Sequence, residues 1–112
     1  KNIVLFGNQV NPYKILLNSK ILVITSKYEG MPMNALEAIA CNIPVVSTPV
    51  DGLLDIIDRK YLCKTDQDFV EIILKILNSE EVRKHYKNKL SVLDKKLNNT
   101  VDFSNSISRL YN

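Results

Sequence analysis

Two glutamates, Glu29 and Glu37, stand with seven residues between them in the stretch "TSKYEGMPMNALEAIACNIPVVST", residues 25–48. The first falls in a turn with Gly30 and Pro32. The second falls on a run expected to be helical from Met33 to Cys41. The start of a helix offers unpaired N–H groups and a partial positive charge, which suit a phosphate. Pro32, Met33, Asn34 and Ala35 surround that start, and Gly30 lets a ligand approach the backbone with no side chain in the way. Glu37 lies roughly 6 Å further along the helix axis. A carboxylate there would repel a phosphate, but its two oxygens can accept hydrogen bonds from two vicinal hydroxyls. Such a charge-assisted contact contributes on the order of 1.5–3 kcal/mol. Glu29 would meet a different hydroxylated group beyond the phosphate. Hydroxyl acceptor, phosphate cradle and hydroxyl acceptor match a sugar, a diphosphate and a ribose in a row. On spacing alone, a solvated helix glutamate beside an ordinary turn glutamate is the commoner arrangement, and both readings stand at this point.

The elements around the pair must hold it in place. Residues 2–6, "NIVLF", form an apolar β-type run ended by Gly7 and Asn8. Asn11 can cap a helix whose first turn suits Pro12 and whose shared face is Tyr13, Leu16 and Leu17. Residues 21–25, "ILVIT", form a second continuous apolar run, and "PVVST" from Pro44 a third. Unalternated runs of this kind fit parallel strands covered on both faces. Asn42 suits the left-handed position after the central helix. "LLDII" reads as a short helix and "YLCK" as a brief fourth strand. Thr65 or Asp66 can cap a helix with Phe69, Ile72, Ile73, Ile76 and Leu77 as its apolar stripe. Ser79 can cap the next, with Glu80 and Glu81 at its positive end and Val82, Tyr86, Leu90, Leu93 and Leu97 along one face. After "NNT", "VDFSNSISRLYN" reads as a terminal helix touching through Phe103, Ile107, Leu110 and Tyr111. Strand, helix, strand, helix, strand predicts an α/β fold: a Rossmann-like open parallel sheet with flanking helices. Ligands of such folds bind beyond the carboxyl ends of the strands, where Glu29 and the start of its helix fall.

The 112 residues suffice for one domain with one core. Apolar content of 46% and charged content of 24% argue against disorder, and a net charge of +3 is too small to argue for nucleic acid. No apolar run is long enough to span a membrane. Cys41 and Cys63 lack metal-ligand spacing and read as reduced, buried thiols of a cytoplasmic protein. His85 has no partner spacing for a metal or a catalytic triad. It lies in "RKHYKNK", a basic face that is simply solvated or rests on an anionic membrane. The chain starts at Lys1 inside a strand-like run, so it is expected to be a fragment: one truncated domain over 1–112, with closing helices over about 66–112. An open sheet edge left by such truncation would invite a dimer.

"ILVITSKYEGMPMNALEAIACNIPVVST" strongly resembles the donor-site segment of the retaining family 4 glycosyltransferases of GT-B fold. Their pattern is an apolar strand, Ser-x-x-Glu-Gly, an apolar residue and Pro, then Leu-Glu-Ala, and finally Cys-Gly-x-Pro-Val-Val. The resemblance continues more weakly from Ile3 to about Leu77, and "DFSNSISRLYN" looks like the family's closing helix. It implies that this is the carboxyl-terminal, nucleotide-sugar-binding part of such an enzyme. Glu29 would contact donor-sugar hydroxyls as the catalytic residue, and Glu37 would hold the ribose diol. The amides from Met31 to Ala35 would lie against the diphosphate, and Gly7 and Asn8 near the base. An ordinary turn explains Gly7 and Asn8 equally well.

Three departures matter. Asn42 replaces the usual Gly. "TPVDGLLDII" replaces a Thr-Asp-x-Gly-Gly-x-x-Glu run, so Pro49 and Asp51 put that loop's shape in doubt, and Asp55 stands for Glu. The upstream Gly-rich loop, its cation and the acceptor-binding domain have no counterpart here. The implied function is hexosyl transfer from a nucleotide-diphosphate sugar, by default a UDP-sugar, to a glycan or lipid-linked acceptor. The implied setting is bacterial surface polysaccharide assembly, lipopolysaccharide O-antigen or capsule, in the cytoplasm or peripherally at the inner face of the plasma membrane. No cofactor, metal or nucleic acid is expected, and the isolated chain is expected to be inactive. The alternatives are a GT-B nucleotide-sugar 2-epimerase and a non-enzymatic α/β interaction module. Base, sugar, acceptor and linkage stay open.

Overall fold

The computed structural model describes residues 2–30 and 32–86. Met31, and the calls on Leu90, Leu93, Leu97, Phe103, Ile107, Leu110 and Tyr111, lie outside the described residues. The element order is α1 (Tyr13–Leu17), β1 (Leu22–Ile24), α2 (Met33–Ala40), β2 (Val45–Ser47), two 3-10 turns (Asp51–Leu53 and Arg59–Tyr61) and α3 (Asp66–Asn78). Residues 80–86 are helical as well. This is the expected α/β, Rossmann-like arrangement, centred on a small parallel sheet.

β1 and β2 pair in parallel with Leu22 opposite Val45 and Ile24 opposite Ser47, so their carboxyl ends coincide. The connection between them is α2, which parallel pairing requires. Ala35, Ala38 and Ile39 on α2 are buried with Val45 and Val46 of β2, Leu53, Cys63 and Ile76 in one core. Asn42 follows α2 in the left-handed conformation, φ 57°, as its side chain permits. The Ile43 amide returns to the Ala38 carbonyl at 2.8 Å, which closes the helix and directs the chain into β2.

The expected fourth strand is reduced to one parallel bridge between Ser47 and Leu62, with the Cys63 amide donating to the Ser47 carbonyl at 2.7 Å. Alternate residues of β2 point their polar groups to alternate sides. Pro44 and Thr48 bond toward β1, while Val45 and Ser47 face the other way. The bridge serves Ser47 but not Val45. Tyr86 fills the gap: its hydroxyl accepts from the Val45 amide at 3.0 Å and donates to the Val45 carbonyl. Its ring meets Tyr61 edge-on, with centroids 4.0 Å apart.

Four expectations need correction. Residues 2–6 are not a strand; they take no ladder partner among the described residues, and Ile3 and Leu5 are 82% and 93% exposed. Apolar character favours a strand only where a neighbour can pair with it. Asn11 is not the cap of α1: the cap position falls on Pro12, whose carbonyl accepts from Ile15 and Leu16. "LLDII" is not a helix: Leu53 ends the 3-10 turn that starts at Asp51 and the residues after it form turns, following the turn at Pro49 where the Val50 amide bonds to the Thr48 carbonyl at 2.8 Å. Leu77 is exposed; Phe69, Ile72 and Ile76 meet the core. Thr65 is the cap of α3, within a reciprocal capping box with Asp68, and Ser79 caps the following helix through the Val82 amide at 3.3 Å.

Candidate functional site

The site is assembled where β1 and β2 end. Two loops leave those ends side by side, residues 25–32 after β1 and 48–51 after β2. Thr48 ties them: its amide donates to the Ile24 carbonyl at 3.0 Å and its hydroxyl to the Ser26 carbonyl at 2.5 Å. Ser26 then donates its hydroxyl to Glu29 at 3.0 Å, which orients an otherwise exposed carboxylate. Lys27, Glu29 and Gly30 from the first loop face Pro49, Val50 and Asp51 from the second across a cleft of about 540 Å3.

Gly30 has its backbone outside the left-handed region, and a Cβ there would meet no atom within 4 Å. Neither conformation nor packing among the described residues demands glycine. Pro32 is buried at the cap of α2 with an extended ψ of 112°, and it turns the chain into the helix. Met33 and Asn34 are exposed on the first turn, whose amides have no intrahelical acceptors. Ala35 is buried, and its amide already donates to Pro32 at 3.1 Å and to the Asn34 side chain at 2.9 Å. The phosphate cradle expected over Met31–Ala35 is therefore narrower on the Ala35 side.

Glu37 is half-buried on α2 and does not line the cleft of Glu29. It lies toward α1. Burial, the Cys41 thiol at 2.9 Å and the Glu37 charge together push the Tyr13 phenol up to about 12. The cleft holds Glu29 and not Glu37, so it does not bring the two glutamates together. Gly7, with φ 63°, and Asn8 are exposed in the loop ahead of α1 and apart from the Glu29 cleft. His85 is exposed, and Cys41 and Cys63 are free thiols. Cys63 is buried as expected; Cys41 is half-buried and lines a separate cleft with Lys20, Arg83 and Lys84. No group of three or more metal-ligating side chains occurs among the described residues. No helix among them is long and apolar enough to cross a membrane. Sequence reasoning missed Lys27 and Asp51 as cleft residues. The signal for Asp51 lay in the departure at "TPVDG", the loop that lines the cleft.

The family model described as glycosyl transferases group 1 matches residues 1–108. The chain belongs to the group 1 glycosyltransferases. It is 27% identical over 124 residues to an uncharacterized glycosyltransferase of Methanocaldococcus jannaschii, covering 80% of this chain and 30% of that protein. It is 41% identical over 64 residues to a probable sucrose-phosphate synthase of Thermosipho melanesiensis, covering 54% of this chain and 15% of the relative. An N-acetyl-alpha-D-glucosaminyl L-malate synthase of Bacillus anthracis is 27% identical over 88 residues, or 74% of this chain and 23% of the relative. The chain thus spans less than a third of the length of these glycosyltransferase relatives. No solved structure matches it.

Proposed function

We propose that this glycosyltransferase domain holds the nucleotide-sugar donor of a retaining, family 4 enzyme that transfers a hexose to a glycan or lipid-linked acceptor. The observation that supports the reading is that Glu29, held by Ser26, stands in the loop leaving the carboxyl end of β1, and that this loop leads into α2, which carries Glu37. Glu37 accepts the ribose diol. The first-turn amides of α2 receive the diphosphate. Glu29, held by Ser26, accepts hydroxyls of the sugar. Relatives named for sucrose-phosphate and N-acetylglucosaminyl-malate synthesis support sugar transfer as the reaction class.

Transfer breaks the bond between the anomeric carbon and the diphosphate oxygen and forms one to an acceptor hydroxyl. That hydroxyl's proton leaves with the diphosphate. The chain's own contribution is a fixed dipole where negative charge gathers. The cation that neutralises the diphosphate and the acceptor site belong to other parts of a complete enzyme, so this chain alone binds donor weakly and transfers no sugar. UDP is the default nucleotide, surface polysaccharide assembly the setting, and the cytoplasmic face of the membrane the location. The reaction needs no resident metal or cofactor.

Ligand-observed NMR of the chain with UDP and GDP, beside Glu37→Gln, tests the reading. Binding of UDP at roughly millimolar strength, about 4 kcal/mol, that the variant loses is the expected result. Equal binding by the variant would remove Glu37 from the ribose, and a measured transfer rate for the chain alone would contradict its proposed inactivity.

A further inference from the structure

We propose that Lys27 and Asp51 complete, with Glu29, a pocket for the sugar ring of the donor, and that this pocket selects an uncharged sugar over one bearing a carboxylate. The inference rests on the donor reading above and adds the substrate class.

The register of the sheet brings the two loops together. Since Ile24 pairs with Ser47, the residues that follow each strand leave at the same level. Thr48 bonds to Ile24 and to Ser26 and locks the loops as one unit. Pro49 has a fixed φ, and the Val50 amide returns to the Thr48 carbonyl at 2.8 Å. This tight turn makes Asp51 the first residue of a 3-10 turn on the wall facing Glu29. Glu29 is itself oriented by Ser26 at 3.0 Å. The cleft therefore carries two carboxylates and one ammonium, on loops tied together through Thr48.

That set suits a polyhydroxylated ring. Carboxylates only accept hydrogen bonds and an ammonium only donates, and each sugar hydroxyl can do both. Glu37 is absent from the cleft lining, so ribose and sugar ring do not compete for one place. The formal charge of Lys27, Glu29 and Asp51 sums to −1. A neutral hexose loses nothing to that charge, whereas a sugar carboxylate would be repelled by Glu29 and Asp51 with one Lys27 to compensate. Asp51 is a specificity-determining residue in this scheme. Its side chain is exposed, so removing its charge leaves the core untouched.

Saturation-transfer NMR of the chain with UDP, UDP-glucose and UDP-glucuronate, in wild type and Asp51→Asn, tests the assignment. Wild type should bind UDP-glucose about four- to tenfold more tightly than UDP-glucuronate, the factor a like charge at contact distance gives in a wet cleft. Asp51→Asn should bind UDP as wild type does and lose at least half of that preference. Lys27→Met should weaken UDP-glucose relative to UDP. If UDP binds but wild type treats both sugars alike, or if Asp51→Asn keeps the full preference, the sugar pocket is wrong while the donor reading survives. If UDP itself fails to bind, the donor reading fails and takes this inference with it.

Discussion

Gly30 separates the two demands a residue can face. Its backbone is not left-handed and its missing Cβ would touch nothing within 4 Å, so the fold does not require it. Gly30→Ala should then leave unfolding free energy unchanged or raise it by up to about 1 kcal/mol, since it restricts the unfolded chain. Donor binding should weaken about tenfold, because a methyl group stands where a ligand meets the backbone. Urea melts beside UDP titration of the same variant would check both, and a loss of stability would place Gly30 among structural glycines. Asn42 is the contrasting case. Its φ of 57° is imposed by the return from α2 into β2. Asn42→Ala should cost about 1 kcal/mol in a urea melt, with nucleotide affinity untouched.

α3 shows how one cap sets the pH response of an element. Asp68 accepts from the Lys64 and Thr65 amides, each at 3.0 Å, while its own amide donates to the Thr65 hydroxyl at 3.1 Å. The two backbone bonds, chiefly that from Lys64, hold the Asp68 carboxyl below the ordinary carboxylate range. A depressed carboxyl stabilises the fold above its unfolded value, about 3.9, and that contribution fades as pH falls through the lower folded value. Acid unfolding followed by circular dichroism should show a shallower pH dependence below about pH 4 for Asp68→Asn. Thr65→Ala should lower stability at neutral pH by about 1 kcal/mol. An unchanged melting curve for Thr65→Ala would mean that the box forms without supporting the helix. α2 has no side-chain cap; buried Pro32 and the packing of Ala35, Ala38 and Ile39 hold it, which leaves its first turn open toward a ligand.

The sheet is held to the later helices by Tyr86. Its hydroxyl takes both polar groups of Val45, which shares a side of β2 with Ser47 but lies beyond the reach of the Leu62 bridge. Burial holds its phenol above the usual tyrosine range, so it stays neutral and keeps its proton to donate. Tyr86→Phe leaves a buried amide and carbonyl unpaired. It should destabilise the chain by about 1–3 kcal/mol in urea unfolding. Because Thr48 follows β2 directly and ties the two site loops, the same variant should also loosen donor binding. Full stability in Tyr86→Phe would mean that water replaces the hydroxyl. The buried Cys63 thiol, also raised by burial, sits in this core and should resist alkylation until the chain unfolds.

The α/β class, the helix from Met33 (expected to Cys41, ending at Ala40), the turn at Asn42 and a cap at Thr65 or Asp66 were legible in the sequence because each is a local decision. Periodicity, capping chemistry and tolerance of a left-handed backbone act within a few residues. The placement of Glu29 near the end of a strand and Glu37 inside a helix was legible for the same reason. What stayed hidden was every outcome that depends on a distant partner. "NIVLF" has strand composition, yet a strand exists only where a second backbone completes its ladder, and none among the described residues does. Tyr86 looked like one apolar face residue among several, and only the folded chain shows it bonding to Val45 across 41 residues. Lys27 and Asp51 are remote in sequence. The parallel register of β1 and β2 alone decides that they face each other across the Glu29 cleft.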